Sequence, residues 1–123
     1  VGCEQGSCGA CSLMVDGRMI RSCLVFAIQL DGAVVETAEG FAGDTKMDAL
    51  RKAFADRNAL QCGFCTSGML VAARDLLSRD TTPSRKIIRE FISGNFCRCT
   101  GYEAIVDAIS KVAEDSDTSR DAQ

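Results

Sequence analysis

The stretch Gly2-Cys-Glu-Gln-Gly-Ser-Cys-Gly-Ala-Cys11 places three cysteines among three glycines in ten residues. With Cys23 it forms a first quartet, Cys3, Cys8, Cys11 and Cys23, spaced C-x4-C-x2-C-x11-C. The first three positions follow the plant-type spacing for a [2Fe–2S] cluster. The surrounding residues suit that chemistry. Four thiolates around a cluster leave net negative charge, which backbone N–H groups must face. Glycine lets a chain wrap tightly enough to present them, because it tolerates positive φ.

Working outward, a second quartet stands in Gln61-Cys-Gly-Phe-Cys-Thr-Ser-Gly-Met69 and Gly94-Asn-Phe-Cys-Arg-Cys-Thr-Gly-Tyr102. Its members are Cys62, Cys65, Cys97 and Cys99, spaced C-x2-C-x31-C-x-C. Each pair precedes a predicted helix, so two helix N-termini are expected to aim their positive ends at one anionic centre. Such an environment lowers thiol pKa values.

Disulfides and structural zinc are the competing readings of eight cysteines. The N-terminal residues show no signal-peptide pattern, so a cytoplasmic, reducing location is expected, which disfavours disulfides. Zinc as Cys₄ suits the second quartet by spacing alone. The glycine-rich first quartet is less typical of zinc, and two quartets in one chain point to electron transfer. The chain has no histidine, which removes the usual general base.

Composition excludes other classes. The 123 residues carry 46% apolar and 25% charged side chains and a net charge of −3, ordinary for a soluble globular chain. No basic stripe suggests nucleic acid. The apolar run Cys23–Ile28 is far too short to span a membrane.

The pattern divides the chain. Residues 1–42 read as β-rich. Asp16-Gly17 suits a type I′ turn between strands 12–15 and 18–21, and Asp31-Gly32 leads into a strand over 33–37. Residues 43–115 read as four helices. Asp44 caps the first, which carries Met47, Leu50 and Phe54. The second runs over 66–78 with Met69, Ala72, Ala73, Leu76 and Leu77 as its stripe. Thr82-Pro83 starts the third, carrying Ile87, Ile88, Phe91 and Ile92, and Gly94 stops it. Thr100-Gly-Tyr-Glu103 reads as a capping box opening the fourth. Residues 116–123 read as a disordered polar tail.

The blocks GCEQGSCGAC (2–11), DGRMIRSC (16–23), QCGFCTSGM (61–69) and GNFCRCTGY (94–102) together resemble the small iron–sulfur subunit of molybdenum hydroxylases, the xanthine oxidase family. The resemblance runs from residue 1 to about 115. It implies an α+β chain: the C-terminal part of a ferredoxin-like β-grasp domain over 1–42, then a four-helix [2Fe–2S] domain over 43–115. The first quartet would hold one [2Fe–2S] cluster and the second another. It further implies a large partner subunit carrying a molybdenum–pterin cofactor, and a medium subunit carrying FAD as the usual next acceptor. Electrons would pass from molybdenum through the helical-domain cluster to the ferredoxin-type cluster. Gln61 and Cys99 match the positions that approach the pterin.

Purines, N-heteroaromatics, aldehydes and carbon monoxide are substrates across the family, and some members reduce aromatic acyl-CoA thioesters. A free two-cluster carrier is the alternative outside an enzyme complex. Arg98, between two ligands, either tunes a cluster potential or is merely solvated. Two departures are expected to matter. Ser67 stands where the family usually has proline, adding a backbone N–H. Family members also carry a β-hairpin and a helix before the first cysteine, so further strands are expected from an upstream or separate segment.

Overall fold

The computed structural model describes residues 1–121, with side chains described through Thr118. Strands β1 (Ser12–Val15) and β2 (Arg18–Arg21) form a hairpin in which Ser12 pairs with Arg21 and Val15 with Arg18. Asp16 and Gly17 take φ of 47° and 76°, the two left-handed residues that a type I′ turn requires. The other edge of β1 pairs antiparallel with β3 (Val35–Glu36), so the sheet order is β2-β1-β3. β3 is shorter than the expected 33–37. Only Val35 and Glu36 find partners on β1, and the chain turns away at Thr37, whose carbonyl accepts from Gly40 N. Much of the rest of 1–42 is loop and short 3-10 turns at 22–24, 27–30 and 39–41.

Four helices follow: α1 (Thr45–Asp56), α2 (Thr66–Arg79), α3 (Arg85–Ile92) and α4 (Glu103–Asp121). Asp44 caps α1, its carboxylate accepting from Met47 N at 2.8 Å. The expected stripes of α1 and α2 are all buried, as are Ile88 and Ile92 of α3 and Ile105, Ala108, Ile109 and Val112 of α4. Each fully buried large aliphatic or aromatic side chain contributes about 1.5–3 kcal/mol. Ile87 of the expected α3 stripe is exposed. α2 is the central element: it meets α1, α3 and the sheet, and Met14 extends the helical core into β1. Arg74 on α2 stacks over the Phe41 ring at 5.1 Å and pairs with Asp44 at 2.9 Å, fixing the entry to α1.

Several expectations are corrected at helix ends. Ser84, not Thr82, caps α3, its hydroxyl accepting from Ile87 N, while Thr82 N is held by Asp80 and Pro83 is buried just ahead of the cap. No Thr100 capping box forms. Gly101 and Tyr102 both take positive φ, and α4 begins only at Glu103. Thr100 instead turns its hydroxyl to Cys97 Sγ, and Glu103 pairs with Arg85 and Arg89 of α3. The polar residues 116–121, expected as disordered, continue α4 as helix; residues 122–123 lie outside the described residues. A helix already nucleated on a packed face propagates cheaply through polar residues. Here the Lys111–Asp115 pair and the Ser116 and Thr118 hydroxyls, donating to Val112 O and Glu114 O, accompany it. No helix among the described residues is long and apolar enough to cross a membrane.

Candidate metal centres

The first quartet is built by a loop and a hairpin. Glu4, Gly6 and Gly9 all take positive φ, winding residues 3–9 around the Cys3 sulfur. Gln5 N and Cys8 N both donate to Cys3 Sγ at 3.4 Å. The Ser7 hydroxyl, then these two amides, pull the Cys3 thiol down to about 5. Cys11 lies at the base of β1, and Cys23 lies in the turn after β2. Ser22 joins them, donating its amide (3.3 Å) and hydroxyl (3.0 Å) to Cys11 O. Burial pushes the Cys23 thiol up, and contact with Cys11 adds to that. For Cys11 burial acts in the same direction, but hydrogen bonds from the Cys23 amide and thiol outweigh it and hold Cys11 low.

The second quartet sits where α2 starts and where the α3–α4 connection passes over it. Cys65 immediately precedes α2 and is buried. Burial, then the neighbouring Cys97, pushes its thiol up to about 12. For Cys97, burial is outweighed by the Thr100 hydroxyl, which donates to its sulfur at 3.1 Å, and by the Thr100 and Cys99 amides. Cys62 is lowered by the Phe64 amide and by the Cys99 thiol, 3.5 Å away. Cys99 is raised by the same contact. Only α2 brings its N-terminus directly to a ligand, since Tyr102 separates Cys99 from α4 and takes Cys97 N on its hydroxyl at 2.8 Å.

The thiols therefore meet in pairs: Cys3 with Cys8, Cys11 with Cys23, Cys62 with Cys99 and Cys65 with Cys97. All eight cysteines are free of disulfides. Among the described residues no three His, Cys, Asp or Glu side chains converge on one metal-ion position. A mononuclear zinc site needs four ligands around a point, whereas a two-iron cluster is met by thiolates at two separate irons. The donor set and its pairing fit the latter. Close packing at the cradle agrees: a Cβ on Gly2 would stand 3.2 Å from Cys8 Sγ. Thr66 Oγ1, one residue after Cys65, is buried with no hydrogen-bond partner among the described residues.

The comparisons with known proteins join this geometry. A family model described as a [2Fe-2S] binding domain matches residues 37–110. The chain is 47% identical over 109 residues to the nicotine 6-hydroxylase small subunit of Paenarthrobacter nicotinovorans, covering 89% of this chain and 66% of the relative. It is 48% identical over 116 residues to caffeine dehydrogenase subunit gamma of Pseudomonas sp. (strain CBB1), covering 92% and 70%. The chain belongs to the family of small iron–sulfur subunits of molybdenum hydroxylases. Among solved structures, quinoline 2-oxidoreductase from Pseudomonas putida 86 superposes with a TM-score of 0.88 at 51% identity, covering 96% of this chain and 74% of that one. The chain spans about two thirds of the length of the curated relatives it matches.

Within the family match lie Cys62, Cys65, Cys97 and Cys99; the first quartet precedes it. Gln61 lies beside Cys62 and donates its Nε2 to Cys99 O at 2.9 Å, so the two sequence-flagged residues are brought together on an exposed edge. Arg98 is exposed, and Ser67 is exposed in the first turn of α2. Sequence reasoning missed Ser12, Arg21, Asn95, Thr100 and Tyr102. Their partners are thiols, backbone groups or each other across the fold, and no spacing rule announces them.

Proposed function

We propose that this chain is the electron-transfer subunit of a molybdenum hydroxylase, with two [2Fe–2S] sites and no substrate site of its own. The observation that carries the proposal is the pairing of eight free thiols into two quartets within a family of iron–sulfur subunits. Cys3, Cys8, Cys11 and Cys23 would hold one cluster, and Cys62, Cys65, Cys97 and Cys99 the other. When bound, each cluster supplies a one-electron carrier. The chain's own residues hold the thiolates: Ser7 and the Gln5 and Cys8 amides at the first site, Thr100 and the Phe64 amide at the second.

The exposed Gln61–Cys99 edge is where a large partner's molybdenum–pterin cofactor would approach, making the second quartet the first acceptor. Phe64 and Phe96, also exposed and next to second-quartet ligands, give that edge an apolar rim suited to burial against a partner. The first quartet would then pass electrons on, to FAD in a medium subunit. The relatives named for nicotine and caffeine, and the quinoline enzyme, stand near 50% identity, while an aldehyde oxidoreductase of Megalodesulfovibrio gigas and two nicotinate dehydrogenases stand at 38–42%. An N-heteroaromatic hydroxylated with oxygen from water is therefore the substrate class proposed for the complex.

The test is purification of the native complex with iron analysis and paramagnetic resonance. Two distinct [2Fe–2S] signals on reduction and about four irons per chain are expected. A colourless sample containing zinc would overturn the redox reading. A chain that elutes alone with both clusters intact would overturn the subunit reading. Turnover of candidate heterocycles in isotopically labelled water then tests the substrate class by the label carried into product.

A further inference from the structure

Asn95 is 1% exposed and belongs to neither quartet. Its Nδ2 donates to Gly9 O at 3.0 Å and lies 3.4 Å from Ser12 Oγ. Arg21 backs it: one guanidinium nitrogen donates to Gly94 O at 2.9 Å and approaches Asn95 Oδ1 at 3.5 Å, the other donates to Ser12 Oγ at 2.7 Å. Ser12 Oγ in turn donates to Gly9 O at 2.6 Å. One residue further on, Phe96 N donates to Cys8 O at 2.7 Å. Cys8 is a first-quartet residue and Cys97, bonded to Phe96, a second-quartet residue. From Cys8 Sγ to Cys97 Sγ there is thus a continuous route of covalent bonds interrupted by one hydrogen bond. Nothing larger fits at this contact. A Cβ on Gly9 would stand 2.6 Å from both Asn95 Nδ2 and Gly94 O, and one on Gly68 2.2 Å from Gly9 O.

Building on the electron-transfer reading, we propose that Asn95, held by Arg21, is a positioning residue that keeps the Cys8–Phe96 hydrogen bond closed and so sets the rate of electron passage between the two quartets. Tunnelling decays less steeply along bonds and hydrogen bonds than across a gap, so a small opening of this contact slows the exchange strongly. The exchange moves one electron, with no bond made or broken and no proton transferred. Asparagine suits the position because the same short amide gives a donor to Gly9 O and an acceptor to Arg21. Asn95→Asp keeps the shape and the acceptor but sets an oxygen against Gly9 O.

The experiment uses the native complex with both clusters loaded, comparing wild type with Asn95→Asp, Asn95→Ala, Arg21→Ala and Arg21→Lys. Two readouts are taken: exchange of the Phe96 amide proton, and the rate at which the two cluster signals equilibrate after flash reduction. Iron content and both signals should persist in the variants. Phe96 exchange should quicken by about tenfold or more in both Asn95 variants, the scale of one lost buried hydrogen bond, and equilibration should slow measurably in both. Arg21→Lys should restore part of what Arg21→Ala loses. Unchanged equilibration in variants that retain both signals overturns the proposal. Should the Asn95 variants fail to assemble, an unchanged rate in Arg21→Ala overturns it equally. A wild-type complex lacking two separate signals would instead overturn the electron-transfer reading itself.

Discussion

The two quartets each hold four thiols, and by opposite means. Around the first, order comes from the loop: among residues 1–42 only Gly9, Ser12, Met14 and Phe41 are buried, while Leu24, Phe26, Ile28 and Val34 are exposed. Around the second, order comes from beneath. Cys65 stands on α2, whose Met69, Val71, Ala72 and Ala73 are fully buried, and its thiol is pushed up to about 12 where Cys3 is drawn down to about 5. Both sites solvate some thiolates with amides before metal arrives, Cys3 at the first and Cys62 and Cys97 at the second. The second also keeps a buried thiol, Cys65, protonated until metal displaces the proton. The first region leans on its ligand for rigidity, and the second on its core.

Ligand substitution tests this difference most severely. Cys11→Ser should abolish the first cluster signal, remove about half the iron, and leave residues 1–11 open to hydrogen exchange. Cys65→Ser should remove the second signal and a similar share of iron, while the amides of α1, α2 and α4 stay protected, because apolar packing rather than metal holds them. Loss of the same signal in both variants would show that the quartets are wrongly divided.

Next in size is the seam between the regions. Gly68→Ala would drive a Cβ to 2.2 Å from Gly9 O and 3.1 Å from Ala10 Cα. Backbone cannot swing aside as a side chain can, so a cost of about 1–3 kcal/mol or more is expected. Both cluster signals should broaden together, since the same carbonyl is bound to Asn95. Denaturation midpoints and paramagnetic resonance check this. A variant that perturbs only one signal would mean that the regions are less tightly joined than the contact implies.

What the sequence made legible follows the range of the forces involved. The hairpin was readable to the residue because Asp16-Gly17 determines its own φ angles. The Asp44 cap and the α2 stripe are likewise local, requiring only three- and four-residue spacing. Both quartets stand out because their cysteines recur at short spacings, and the structure brings the thiols of each together in pairs. The contacts that relate the quartets could not be read this way: Arg21 reaches Gly94 and Asn95 across more than seventy positions. Thr100 misled because its hydroxyl serves a thiol 3.1 Å away instead of the helix it precedes. The polar tail misled because composition says nothing about a helix already packed upstream.

Acidity gives a finer division of the two sites. Loading a thiol site displaces its protons. At the first site Cys3, at about 5, is already thiolate near neutrality and Cys11 is held low, so only the raised Cys23 resists loading, and assembly there should accelerate only weakly between about pH 6 and about pH 8. At the second site Cys65, at about 12, must give up its proton, so assembly should accelerate as pH rises over that interval. Following each signal during reconstitution separates the two. Equal pH dependence at both would mean that the buried Cys65 thiol does not set proton release at the second site.

The smallest effect concerns the helical region's independence from its metal. Asp44 caps α1 and pairs with Arg74. Burial disfavours its carboxylate, but the Met47 amide and the Arg74 guanidinium outweigh burial and hold the folded pKa below its ordinary value. A depressed carboxylate stabilises the fold at pH above its unfolded pKa. That contribution fades as pH falls through the unfolded value towards the folded one. Asp44→Ala should therefore cost about 0.5–2 kcal/mol at neutral pH, the usual range for a lost N-cap, and progressively less on acidification below about pH 4. If the helical region stands on its core, the same loss should appear in metal-loaded and metal-free protein when α1 unfolding is followed. A loss confined to the loaded form would mean that the second cluster, and not the packing around α2, sets the stability of this region.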